Sequence, residues 1–256
     1  MTSGAFGIPA ARLAEMMDLL RDSDDVELKL TVPETARTSV VGALDLDPLD
    51  GEIRQVFFLD THDLDLDKAG VVVRVRRVQG RADDSVVKLR PVVPGDMPDE
   101  LRADPEFVVE LDAMPGGYVC SGSYKGTPKR ATVREVVTGR KPASHLFSKA
   151  QRRFFDDHAP EGMSIDDLTL LGPIHVFKLK FEPEELKRRI VAELWFYPDG
   201  SRILELSTKC ATTEPFDVAA QTGTYLAGKG IEVSPADQQT KTRTALEFFS
   251  AELRSA

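Results

Sequence analysis

The chain has 256 residues, 33 Lys and Arg against 42 Asp and Glu, a formal net charge of −9, and 41% hydrophobic residues. That profile belongs to a folded globular chain, not a disordered one, and no apolar run approaches the roughly 18 residues a membrane span needs. The acidic balance argues against coating DNA, which calls for a broad excess of Lys and Arg facing phosphates.

In chain order, an amphipathic helix is expected near Pro9–Leu20, where Leu13, Met16, Met17 and Leu20 recur at helical spacing. Strands are predicted at Asp25–Val32, Arg54–Leu59, Val71–Val78, Asp84–Val92, Phe107–Ala113, Ser148–Phe155, Ile174–Phe181, Ile190–Tyr197 and Ser201–Cys210. A helix at about Thr35–Leu46 separates the first two, and Pro198-Asp199-Gly200 turns the last two into a hairpin. Met114–Pro142, rich in Gly, reads as an irregular, mobile insertion within one domain spanning 1–256. A helical segment at about 214–253 closes the chain. Strands without regular helix alternation disfavour a doubly wound sheet. The expected class is α+β, an antiparallel barrel or sheet with helices packed outside.

Two cysteines, Cys120 and Cys210, make neither a C-x-x-C pair nor a disulfide framework, so structural zinc is disfavoured. Met1–Arg12 lacks the order of a secretory signal, and a cytoplasmic address is the expectation. The sequence sets no oligomeric state.

The polar faces of the strands carry the functional signal. Residues two apart share a face, so Asp25, Glu27 and Lys29 lie together, as do Arg74 with Arg76, Lys88 with Arg90, Lys178 with Lys180, and Glu205 with Ser207 and Lys209. For any one strand a solvated sheet face is the plainer explanation. Basic doublets on successive strands facing a carboxylate cluster fit better inside a barrel. Such an interior is unstable dry, because a desolvated charge costs several kcal/mol, so it must be wet and occupied. A small-molecule triphosphate with Mg²⁺ or Mn²⁺ satisfies both halves, cations on phosphate oxygens and carboxylates on the ion.

At this point the residues resemble a known family. Asp25-Val26-Glu27-Leu28-Lys29 resembles the E-x-E-x-K signature of the CYTH, or triphosphate tunnel metalloenzyme, family, with Asp for the first Glu. Phe57-Phe58-Leu59-Asp60-Thr61 is similar to its aromatic-x-D-T segment, Gly70-Val71-Val72-Val73-Arg74-Val75-Arg76 to its G-x-x-L-R-x-R strand, and Val86-Val87-Lys88 to the strand with a lone Lys. Further on, Glu110 matches a strand carboxylate, Lys149 with Arg152 or Arg153 a K-x-R strand, and Lys241 a C-terminal Lys. The resemblance implies a tunnel of about eight antiparallel strands. Known activities in the family are hydrolysis of inorganic, thiamine or RNA 5′-triphosphates and class IV adenylyl cyclisation. It further implies metal ligation by Asp25, Glu27, Glu205 and Glu193, and phosphate binding by Lys29, Arg74, Arg76, Lys88 and Arg152, with Arg153 as the alternative in strict alternation. The late E-x-E stands here as Glu205-x-Ser207, one carboxylate fewer.

Glu110 and Lys29 are the catalytic candidates, Glu110 either orienting the attacking water or pairing with a neighbouring cation. Lys178, Lys180, Lys209 and Lys241 are further phosphate ligands or solvated edge residues. Trp195 is a base-stacking or a core aromatic, Tyr118, Tyr124, Lys125, Lys129 and Arg130 a lid or a solvated loop, and Asp60 a helix cap. Asp166-Asp167 is a further metal site or, more simply, an acidic turn. Three functions stay open: a metal-dependent triphosphatase, a class IV-type adenylate cyclase, and a non-catalytic polyphosphate or nucleotide binder.

Overall fold

Alternation gives the barrel its two faces. In β1 (Asp25–Val32), Val26 and Leu28 are buried while Asp25, Glu27 and Lys29 are half-buried. The other strands are β2 (Glu52–Asp60), β3 (Val71–Val78), β4 (Asp84–Leu89), β5 (Phe107–Met114), β6 (Gly117–Gly126), β7 (Thr169–Phe181), β8 (Ile190–Phe196) and β9 (Arg202–Cys210). In this computed structural model, which describes residues 10–34, 37–231 and 241–255, they close in the order β1-β5-β6-β4-β3-β2-β7-β8-β9. The fold is α+β, as expected. The barrel is mixed, not purely antiparallel, because β1 and β5 run parallel.

Eight helices accompany the barrel among the described residues: α1 (Ala10–Arg21), α2 (Arg37–Ala43), α3 (Asp65–Lys68), α4 (Asp99–Arg102), α5 (Arg130–Val137), α6 (Lys149–Asp156), α7 (Pro215–Gly228) and α8 (Lys241–Ser255). The expected helix starts at Pro9 and Thr35, and residues 232–240 of the expected 214–253 helical segment, lie outside the described residues. The outward apolar residues of the strands meet these helices. Met16 and Leu20 of α1 and Phe154 and Phe155 of α6 join Val26, Leu28, Val73, Val87 and Leu111 in one core. Val40 of α2 and Leu226 of α7 join Ile190, Leu204 and Leu206 in another. Helix α8 behaves differently. It packs Ala245, Leu246 and Phe249 with Val56, Phe58, Ile174 and Trp195. Val56 and Phe58 stand directly across from Arg76 and Arg74, so α8 covers an apolar part of the same face that carries the charges. No helix among the described residues is long and apolar enough to cross a membrane.

Two sequence expectations are corrected here. Ser148–Phe155 is not a strand but helix α6, opened by a capping box in which Ser148 accepts from the Gln151 N–H and Gln151 accepts from the Ser148 N–H. Gln151, Phe154 and Phe155 are buried at helical spacing, which outweighs the short alternation. The Gly-rich 114–142 stretch is not an irregular insertion, since it supplies β6 to the barrel, between β4 and β5, and then α5. Two of its glycines serve close approach: a Cβ on Gly126 would lie 2.3 Å from Gln151 Oε1, and one on Gly122 would lie 2.7 Å from Phe107 Cζ.

Gln151 also donates to the Ser85 and Tyr124 carbonyls, each at 3.1 Å. Gln151→Ala removes the cap partner and these buried bonds together. We expect a loss of about 2–3 kcal/mol, read as a fall of several degrees in Tm. An unchanged Tm would show that water replaces the amide at no cost.

Candidate functional site

The inward charges line a cavity of about 580 Å³ that takes nine cationic and seven anionic side chains. Their pairing is uneven, and it separates the site into three parts.

The first part is the β1–β5 seam. Parallel pairing sets Asp25 beside Glu110 and Glu27 beside Asp112, which brings two carboxylate pairs together on adjacent strands. One carboxylate oxygen from each of Glu27, Glu110 and Asp112 lies within 4.8 Å of the others. Asp112 is fully buried. Its Oδ1 meets Lys29 Nζ at 2.7 Å, and its Oδ2 lies 3.7 Å from Lys88 and 3.6 Å from Arg90. Burial alone would raise its pKa, but Lys29, Lys88 and Arg90 outweigh burial and hold the carboxyl well below its usual range. Lys29 also reaches Glu27 at 3.1 Å. Burial works against its charge, yet Asp112, Glu27 and Glu205 keep its pKa above the ordinary lysine value. At the rim, Lys209 contacts Glu110 and lies 3.2 Å from both Asp25 oxygens.

The second part is a closed knot. Lys241, at the start of α8, binds Glu193 at 2.7 Å and Glu205 at 2.6 Å, and sits 5.1 Å from the Trp195 ring centroid. Lys178 binds the other Glu193 oxygen at 2.9 Å. Burial opposes the Glu193 charge, but Lys241 and Lys178 prevail and its pKa falls well below normal. Glu205 moves the other way, raised by burial and by Glu193 despite Lys241 and Lys29.

The third part is cationic and under-paired. Arg76 makes two bonds to Asp84, at 2.8 and 3.0 Å. Arg74 has no carboxylate partner among the described residues, and its Nε is buried without a hydrogen bond. Burial and the neighbouring Arg76 press its pKa down to about 10, so it stays charged at neutral pH. Lys88 falls to about 8, chiefly by burial, with Lys29 and Arg90 adding to the fall against Asp112. Lys88 is therefore a cation at neutral pH that loses its charge as pH rises through about 8. With metal withheld, affinity for inorganic triphosphate should fall as pH rises from 7 to 9, by up to about tenfold per pH unit above 8. Lys88→Arg should abolish that slope. A flat profile in the parent protein would place Lys88 off the ligand.

These contacts sort the sequence-predicted residues. Glu27, Lys29, Arg74, Arg76, Lys88, Glu110, Lys178, Glu193, Glu205, Lys209 and Lys241 all line the cavity. Asp25 stands outside that lining, held at the rim by Lys209. Glu193 and Glu205 are tied to lysines, and the carboxylate cluster draws on Glu110 and Asp112 instead. Lys180 is exposed at the edge of β7. Arg152 and Arg153 are on α6, outside the barrel: Arg152 Nη1 donates to the Ser144 and Phe147 carbonyls, and Arg153 is 85% exposed, 3.9 Å from Asp157. Asp166 accepts from the backbone and hydroxyl of Ser144 in an acidic turn. Asp60 takes the Thr61, Leu66 and Asp67 N–H groups, the capping role expected of it. The sequence reading missed Asp112 and Asp84. The signal for Asp112 was present, since alternation from Glu110 puts it on the inner face of the same strand.

No family model matches the sequence, and no curated protein matches it. Solved structures do. A candidate adenylyl cyclase from Hippeastrum, HpAC1, described as having a dominant triphosphatase activity, aligns at 18% identity over 88% of this chain and 95% of its own, with a TM-score of 0.63. A candidate adenylate cyclase from Bacillus halodurans aligns at 14% identity over 87% and 97%, with a TM-score of 0.60. The fold of this chain is the closed tunnel barrel of those proteins.

Proposed function

We propose that the protein is a metal-dependent phosphohydrolase that takes a triphosphate into the tunnel. The observation that carries this reading is Arg74, a half-buried side chain lining the cavity with its Nε buried and unbonded and no carboxylate in ion-pair contact among the described residues, beside Lys88, whose pKa burial lowers to about 8. Cations held at such cost are explained by a polyanionic ligand. Inward-facing Arg76 and Lys178 add to the same wall.

The metal reading also fits the donors. Glu27, Glu110 and Asp112 converge as oxygen ligands only, the set that hard Mg²⁺ or Mn²⁺ prefers over zinc or copper. Of the four ligands expected from sequence, Glu27 remains in this set. When bound, such an ion supplies Lewis-acid polarisation of the phosphoryl group. The chain's own part is positional and electrostatic. Arg74, Arg76, Lys88 and Lys178 hold the phosphate oxygens and neutralise charge that spreads over them in the loose transition state. Lys29 fixes the Glu27 and Asp112 carboxylates through two ion pairs. Glu110, once Lys209 moves off it, orients a water in line with the terminal phosphorus. A bond forms from the water oxygen to the terminal phosphorus as its phosphoanhydride bond breaks, the diphosphate portion leaves with the bridging oxygen, and the water proton passes to the Glu110 oxygen that would not hold the ion.

Hydrolysis is preferred to cyclisation because the Hippeastrum protein that shares this fold is described by a dominant triphosphatase activity. A product assay tests the choice: inorganic triphosphate and ATP, each with Mg²⁺ or Mn²⁺, resolved for phosphate, pyrophosphate, ADP and cyclic AMP. Phosphate from inorganic triphosphate is the expected result. Cyclic AMP with pyrophosphate from ATP would make it a cyclase, and binding without turnover in either metal would make it a binding module.

A further inference from the structure

The outer face of the barrel carries a groove that the tunnel chemistry does not use. Lys178, Glu193 and Glu205 line the tunnel, so their neighbours in alternation, Phe177, Leu179, Ala192, Leu194 and Leu204, face outward. With Val40 and Val41 of α2 they line a cavity of about 670 Å³. Helix α2 roofs only part of it: Phe177 and Leu194 stay half-buried, Val41 is 42% exposed and Ile53, also in the lining, is 52% exposed. The short 3-10 turn Pro48–Asp50 edges the groove through Pro48 and carries Leu49 outward at 91% exposure. Among the described residues the exposed large hydrophobics are Leu13, Met17, Val41, Leu49, Ile53 and Val93. Half of them gather at this one groove, and a clustered apolar patch of that kind marks a contact with a partner.

The two ends of the groove differ in charge. Cross-strand register sets His175, Phe196 and Arg202 in one row and Ile53, Phe177, Leu194 and Leu204 in the next. Arg202 stands over the Phe196 ring, 5.5 Å from its centroid, and has no ion-pair partner among the described residues. The other end is set by the turn, whose following residue Gly51 lies so close to the Phe177 ring that a Cβ there would come within 1.9 Å of it. That end presents Asp47 and Asp50, both exposed, on either side of Leu49.

We propose that this face is the contact between two copies of the chain, packed about a two-fold axis through the middle of the groove. Such a rotation lays the Leu49 end of each copy on the Arg202 end of the other, so that each Leu49 enters the opposite groove and each Asp47–Asp50 turn meets an Arg202. A two-fold interface has to be complementary to itself, and this face offers both a knob with a hole and an acidic end with a basic one. A small amphiphile would use Arg202 but leave Leu49 in water. The proposal is independent of the triphosphate reading, because the tunnel side chains of these strands point the other way.

Sedimentation equilibrium of the full chain tests it. Up to about 100 μM, the mass should move from 28.2 kDa toward twice that value. Leu49→Asp should raise the dissociation constant at least about 30-fold and leave the Tm of the dilute protein unchanged, since the side chain is in solvent there. Arg202→Glu should weaken the dimer by about tenfold. Adding Asp50→Arg to that variant should restore most of the loss, because the rotation pairs the two positions twice. A parent that stays monomeric throughout overturns the proposal, and dodecanoate binding to that monomer by calorimetry would make the groove a ligand pocket instead. A Leu49→Asp dimer as tight as the parent's would put the contact on another face. A double variant no tighter than Arg202→Glu alone would overturn the end-to-end packing.

Discussion

Arg74→Met lowers affinity for inorganic triphosphate about 100-fold and leaves the protein at least as stable as before. The first half follows from charge-assisted hydrogen bonding. A guanidinium on phosphate oxygens contributes about 1.5–3 kcal/mol, and each 1.4 kcal/mol is a factor of ten. The second half follows from what Arg74 lacks. With no carboxylate in ion-pair contact among the described residues and a buried Nε unbonded, its charge costs stability, and a methionine removes that cost while filling much of the space. Few ligand-binding residues should separate the two readouts so cleanly. Arg76→Met is the contrast. It should also weaken binding, but it strands Asp84, its partner in two hydrogen bonds. Because both side chains are about a quarter exposed, the stability loss there should be near 1 kcal/mol, well under the cost of a dry pair. Arg153→Met, on the outer helix α6, should change neither quantity. Calorimetry and thermal melts of the three variants check all of this, and an Arg74→Met protein that binds triphosphate normally would remove the main support for the proposed function.

The sequence carried the inner face of the barrel further than it carried the barrel itself. Alternation is a local rule, so Glu27 with Lys29, Arg74 with Arg76, and Glu205 with Lys209 could be set on common faces from spacing alone. Which strands touch is not local. The parallel β1–β5 pairing, which puts Glu27 beside Asp112, joins segments some 85 residues apart and left no trace in either segment's pattern. That is why the expected metal set leaned on Asp25, Glu193 and Glu205, while the carboxylates that converge are Glu27, Glu110 and Asp112. Helix α8 shows the same limit. Lys241 could be flagged by resemblance, but its use, neutralising Glu193 and Glu205 from the helix start, depends on α8 packing against the inner face. The α6 error was of another kind. Ser148 and Gln151 spelled a capping box in plain view, and eight residues of apparent alternation with adjacent Phe154 and Phe155 fit a helix better than a strand.

Asp112→Asn should give the largest combined effect, and in opposite directions for two ligands. Asp112 is fully buried and faces three cations. Its folded pKa lies below the ordinary value, so its stabilising contribution is present at neutral pH and is lost only as pH falls below the usual carboxylate range. Removing the charge leaves Lys29 with Glu27 and leaves Lys88 and Arg90 without their ion-pair partner. A loss of about 3–5 kcal/mol is expected, or roughly 10 °C in Tm for a chain of this length. Turnover should fall at least about 1,000-fold if the carboxylate helps hold the ion. Triphosphate binding with metal withheld should strengthen, because the tunnel becomes more positive and an anionic ligand now supplies the missing counter-charge. The same ligand should then raise the variant's Tm by more than it raises the parent's. Glu27→Gln provides the scale: among the described residues Glu27 pairs with Lys29, which keeps Asp112, so it should lose turnover with a much smaller loss of stability. If Asp112→Asn instead weakens triphosphate binding as Arg74→Met does, Asp112 serves to organise the cations, and the ion must be sought on other carboxylates.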